Sequence, residues 1–208
     1  MSDAFYKLIR ATWGFPFYLS SRTTFLGLDN VPQKGPCILA STHQSYFDVP
    51  FLILHTPRLL DFVSITEEFR KPIVGRFYRA MNAFPLDRSR ADPKTVRIIL
   101  DRLARGRAIL IFPEGGIKTG EHSVLSGGRI RPGVGRIANL ANAPVIPVVV
   151  ANGDAYLKVS SWLPLRRIRY GLIFGKPIPP TDDPTDLESR LAEALKRLHQ
   201  TLLAALRQ

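Results

Sequence analysis

The chain has 208 residues, 45% of them hydrophobic, which is enough for one well-buried domain and unlike the composition of a disordered chain. Its 29 Lys and Arg against 17 Asp and Glu give a net charge of +12, a field that favours nucleic acid, an anionic membrane or a phosphorylated small molecule. A single cysteine, Cys37, excludes an internal disulfide and a cysteine metal cluster, and no apolar stretch approaches the ~18 residues that a spanning helix requires.

In chain order, the first segment places Phe5, Leu8, Ile9 and Trp13 at helical spacing with Lys7 and Arg10 among them, and "GFPFYL" adds further aromatics. That is the composition of an amphipathic helix lying in a membrane interface; a helix packed on the domain remains the alternative. The opening "MSDAFYKLIR" lacks the basic region and continuous apolar run of a secretory signal. Short apolar runs follow as "CILAS" (37–41), "DFVSI" (61–65), "AILIF" (108–112), "VIPVVV" (145–150) and "YGLIF" (170–174), each reading as a buried strand.

Helical patterns lie between these runs. A weaker one covers 67–81 with Arg70, Lys71, Arg76 and Arg79 among apolar residues; another covers 133–142. A clear helix runs from Pro93 to Arg105, capped by Asp92 and ended by Gly106. The last begins after Asp183 and carries Leu187, Leu191, Leu195, Leu198 and Leu202 on one side. Strands alternating with helices predict a single α/β domain with a largely parallel central sheet flanked by helices, preceded by the amphipathic N-terminal helix.

The stretch "STHQSYFD" joins the first of these strands to a helical segment, with His43 and Asp48 five residues apart. On one helix they would point roughly 140° apart, so they do not share a face. With His43 in a loop and a helix starting at Asp48, the loop can fold the ring onto the carboxylate. Asp48 then fixes the tautomer and leaves the second ring nitrogen free as a base. This is the base and orienter of a triad without its serine, so the hydroxyl belongs to a substrate. Ser45 is a nearby hydroxyl expected to contact the substrate; nothing around it resembles a nucleophile elbow. The plain alternative is a loop histidine beside a helix-capping aspartate.

After "AILIF" comes "PEGGIKTGEH", where Gly115 and Gly116 permit a tight turn with exposed amides and Lys118 adds a cation, a combination suited to an anionic group. It is not a P-loop, and no metal-protease motif, acidic cluster with metal spacing or dinucleotide fingerprint occurs. No metal is expected. His55, His122 and His199 lack a second-site pattern and read as structural or solvated.

Together "HQSYFD", "AFPLDR" (83–88), "FPEGG" (112–116) and "VIPVVV" resemble, in order and spacing, the four motif blocks of the glycerolipid acyltransferases related to lysophosphatidic acid acyltransferase. The resemblance covers about residues 25–180. It implies transfer of a fatty acyl group from a thioester, coenzyme A or acyl carrier protein, to a lysophospholipid hydroxyl, with no cofactor beyond that co-substrate. His43 matches the family base and Asp48 its partner. Arg88 matches the basic residue associated with the acceptor phosphate, Glu114 and Gly115 the acceptor site of the third block, and Pro147 falls in the fourth. Where the third block usually has Thr and Arg, this chain has Gly116 and Ile117. A guanidinium grips a phosphate with two hydrogen bonds whereas Lys118 is a point charge. The acceptor is lysophosphatidic acid if Arg88 and Lys118 suffice, and otherwise another lysolipid or a non-phosphate hydroxyl.

The expected organisation is an interfacial helix over residues 1–24 and an acyltransferase domain over 25–208, placed peripherally on the cytoplasmic face of an anionic membrane. Two other classes compete. A nucleic-acid-binding module would use the Arg-rich "LPLRRIRY" (163–170), although no recognised nucleic-acid motif accompanies it and no nucleic-acid partner is expected. A non-enzymatic lipid-binding protein would bind lipid without turnover.

Overall fold

The computed structural model describes residues 3–87, 92–162 and 168–207. The elements are α1 (Asp3–Ser20), β1 (Ser21–Leu26), β2 (Cys37–Ser41), α2 (Asp48–His55), β3 (Leu60–Ile65), α3 (Thr66–Arg70), α4 (Pro72–Ala80), β4 (Ala83–Leu86), α5 (Pro93–Ala104), β5 (Ala108–Ile111), α6 (Val134–Ala141), β6 (Val145–Ala151), β7 (Ile168–Phe174) and α7 (Pro184–Leu206). The strands form one sheet in the order β1-β7-β6-β2-β5-β3-β4. From β6 to β4 all neighbours are parallel; β7 runs antiparallel to β6 and holds β1 parallel to itself at the edge. This is the single α/β domain with a largely parallel sheet that the alternation of apolar runs implies.

Both faces of the sheet are covered, which is why its central strands are apolar without alternation. Along β2, Cys37 and Leu39 join the core under α1 and α2, whereas Ile38 and Ala40 join the core under α5, α6 and α7. Asp92 caps α5 by accepting from the amides of Lys94 (3.1 Å) and Thr95 (3.2 Å), and Gly106 ends the turn after it at φ 72°. Asp183 caps α7 through the Thr185 amide (2.8 Å), and Leu187, Leu191, Leu195 and Leu202 are buried beneath that helix.

Three features differ from the sequence reading. The single helix expected over 67–81 is two, because Pro72 disfavours a helical residue before it and instead opens α4. The strands β1 and β4 sit at the two sheet edges; β1 begins with polar residues and β4 contains Pro85, which an edge tolerates. The N-terminal helix ends at Ser20, and residues 21–26 already belong to the sheet.

One side of α1 packs on the domain through buried Tyr6 and Phe17. The Tyr6 hydroxyl accepts the Leu60 amide (3.2 Å), and Asp3 pairs with Arg107 (3.0 Å), which also grips Asp61 at the start of β3. The bond to Arg107 holds the Asp3 carboxyl below its usual value. The other side exposes Leu8, Phe15 and Leu19. No described helix is long and apolar enough to cross a membrane.

Candidate active site

At the C-terminal end of β2 the chain leaves the sheet, and His43 lies in the loop that leads to α2. Asp48, only 1% exposed, is the first residue of α2. One oxygen, Oδ2, accepts from His43 Nδ1 (3.1 Å), the Gln44 amide (2.7 Å) and the Ser45 amide (2.9 Å). The carboxylate thus turns back onto the loop and does not cap the helix. With Nδ1 bonded to Asp48, Nε2 is the nitrogen left for chemistry. Glycine is required on the far side, since a Cβ on Gly153 would come within 2.9 Å of Asp48 Oδ1.

β5 is hydrogen-bonded beside β2, so the loop that follows it rises next to His43. Phe112 stacks on the imidazole with ring centres 4.1 Å apart and planes 20° from parallel. Glu114 is buried and its two oxygens accept two amides, Oε2 from His43 (3.2 Å) and Oε1 from Val124 (2.6 Å). The Lys118 amide donates to the His43 carbonyl (2.8 Å). His43 is therefore held by its ring, its amide and its carbonyl at once.

The imidazole opens onto a cavity of about 660 Å³ between α1, α2, α4 and β3. Tyr46, Phe112 and Ile117 line it near His43, while Phe62 and Met81 lie deeper, towards the N-terminal ends of the strands. Its size is that of an organic-ligand pocket, and its wall is mainly apolar.

Across residues 22–151 the sequence matches the family model described as Acyltransferase. The chain belongs to the acyltransferase family. Its relatives include the 1-acyl-sn-glycerol-3-phosphate acyltransferase of Bacillus subtilis, 28% identical over 84% of this chain and 83% of that one. The Streptococcus pneumoniae protein of the same name is 26% identical over 74% of this chain and 54% of its own length. Among solved structures, the fold matches the 1-acyl-sn-glycerophosphate (LPA) acyltransferase PlsC of Thermotoga maritima, with a TM-score of 0.75 and 22% identity, covering 96% of this chain and 80% of that one.

Within this acyltransferase the structure brings His43, Asp48, Glu114, Gly115, Gly116 and Lys118 into one place. Ser45 and Glu114, read from sequence as substrate contacts, also hold the loops: Ser45 is buried and its hydroxyl accepts the Phe47 amide (3.2 Å). Gly115 (φ 77°) and Gly116 (φ 156°) make the turn that a side chain would resist. Arg88 lies outside the described residues, as does 163–167 of the Arg-rich stretch, whose Arg169 binds the Leu206 carbonyl at the end of α7 (3.3 Å).

Sequence reasoning missed Phe112 as the ring under His43 and Gly153 as the wall behind Asp48. Phe112 directly follows an apolar run and could have been suspected; Gly153 lies 105 positions beyond Asp48 and carried no signal. Of the remaining histidines, His122 is exposed in the loop that follows β5. His55 is packed among Tyr18, Phe25 and Tyr170, and His199 lies on α7.

Proposed function

We propose that the protein transfers a fatty acyl group from acyl-coenzyme A or acyl-acyl carrier protein to the hydroxyl of a lysophospholipid, foremost 1-acylglycerol 3-phosphate, giving phosphatidic acid. The observation that carries this reading is a histidine oriented by a buried aspartate at the mouth of an apolar cavity. The names of the relatives support the choice of acceptor.

In this mechanism His43 Nε2 takes the proton of the acceptor hydroxyl as its oxygen attacks the thioester carbonyl carbon. Asp48 stabilises the imidazolium so formed. The tetrahedral intermediate then collapses, the carbon–sulfur bond breaks, and the leaving thiolate takes the proton back from His43. No acyl-enzyme is needed. The Gly116 amide, for which no described residue provides an acceptor, is the donor we assign to the oxyanion. The cavity takes the acyl chain, and the exposed side of α1 rests in the surface of an anionic membrane on its cytoplasmic face.

A non-phosphate acceptor is the second reading, because Ile117 stands where the resembling family usually has arginine and lines the cavity. Acyl transfer from labelled acyl-coenzyme A to lysophosphatidic acid, measured with purified protein, tests the proposal. We expect His43→Ala to lose at least ~100-fold in rate, the lower range of general-base effects, and Asp48→Asn to lose rate with intact folding. Undiminished turnover by folded His43→Ala would falsify the assignment.

A further inference from the structure

We propose that Arg131, laid across Gly115 in the turn after β5, binds the anionic phosphomonoester headgroup of the acceptor together with Lys118. This rests on the acyl-transfer reading above and names a residue outside the four motif blocks.

Two contacts fix Arg131 to the turn. Its amide donates to the Pro113 carbonyl (2.8 Å), which places residue 131 beside residues 113–115. Its side chain then lies over Gly115, so close that a Cβ there would come within 2.6 Å of Cδ and Nε and 2.8 Å of Cζ. Gly115 is thus a glycine for two reasons, its φ of 77° and the arginine that occupies the space of a side chain.

Held in this way, the guanidinium has no carboxylate partner among the described residues. The adjacent carboxylate, Glu114, is already taken by the amides of His43 and Val124 and is buried, while Arg131 is exposed. An arginine that packing orders and no carboxylate neutralises offers a planar fork to a phosphate. The same turn binds His43 through Glu114 and Lys118, so an anion gripped there sits next to the base. In chain order Arg131 follows Ile117 by 14 residues, which is why the motif alone reads as lacking its arginine.

The test compares wild type with Arg131→Ala, Arg131→Lys and, as a neighbouring exposed cation, Arg129→Ala. Uncharged detergent micelles carry either lysophosphatidic acid or uncharged monoacylglycerol. Calorimetry reads binding of the phosphate lipid, and acyl transfer reads kcat and KM. We expect Arg131→Ala to weaken lysophosphatidic acid binding and raise its KM at least ~10-fold, so that preference over monoacylglycerol falls by the same factor. Arg131→Lys restores part of it, and Arg129→Ala leaves it unchanged. Unaltered binding and preference in Arg131→Ala, or an equal loss in Arg129→Ala, overturns the headgroup site while the acyl-transfer reading stands. Binding that depends on Arg131 with no turnover of either lipid would sink the acyl-transfer reading and leave the headgroup site in place.

Discussion

His55 shows what a single half-buried side chain does when it is not part of the chemistry. It closes α2, bonds the Tyr170 hydroxyl through Nε2 and packs edge-on to Tyr18. Burial, aided by the charge of Arg10, pushes its pKa down from 6.5 to about 4. The unfolded chain therefore takes up a proton near pH 6.5 that the folded chain refuses until about pH 4, and stability complete above that upper value is lost as the pH falls through this window. The effect amounts to about 3 kcal/mol at most, from 1.36 kcal/mol per pKa unit. Chemical denaturation of His55→Gln between pH 7 and pH 4 should show a shallower pH slope than wild type; parallel slopes would reject the account. His43, by contrast, reaches the cavity and is held by backbone and ring contacts.

At the scale of elements, α1 has two faces that its sequence blends. Tyr6 and Phe17 close the core and Ile9, Arg10 and Trp13 wall the cavity, while Leu8, Phe15 and Leu19 share an exposed face. The sequence reading set packing against interface; the helix packs on one side and leaves the other exposed, free for the membrane contact proposed above. Removing the helix would therefore open the cavity as well as remove the proposed anchor. A cleaner test is Leu8→Glu with Phe15→Glu, since both side chains are exposed and neither lines the cavity. We expect at least ~10-fold weaker sedimentation with anionic vesicles and little change in melting temperature, given the apolar area withdrawn from lipid. Unchanged sedimentation would mean that the membrane contact lies on another face. The neighbouring helix α4 adds Ile73, 84% exposed, beside Arg76 and Arg79, an arrangement that suits the same surface.

At the scale of the whole molecule, the depth of the cavity sets the length of acyl chain in the proposed reaction. The cavity starts at His43, just past the C-terminal end of β2, and reaches Phe62, level with Leu39 in the middle of that strand, and Met81, just before β4. Met81→Trp should fill that deep end and shift turnover towards shorter acyl-coenzyme A donors, read as the profile of kcat/KM against chain length. A profile that merely falls at every length would place the acyl chain elsewhere. Depth of this kind arises from the distance between α1, α4 and the sheet, and no run of residues in the sequence states it.

The α/β architecture, the five apolar strands and the two capped helices were legible because local patterns carry them: β-branched runs that can only be buried, and Asp-Pro pairs before a periodic apolar stripe. His43 with Asp48 was legible as a motif, and the sequence also located the glycine turn beside Lys118. Tertiary structure decided what those residues do to one another. Residues 43 and 114 meet only because β5 pairs with β2, and that pairing makes Glu114 a brace of the histidine loop. It also laid Arg131 over Gly115, and packed Gly153 behind Asp48. Local chemistry writes short-range preference into neighbouring residues, whereas contacts between distant ones depend on which strands share a ladder, a choice set by the burial of the whole chain.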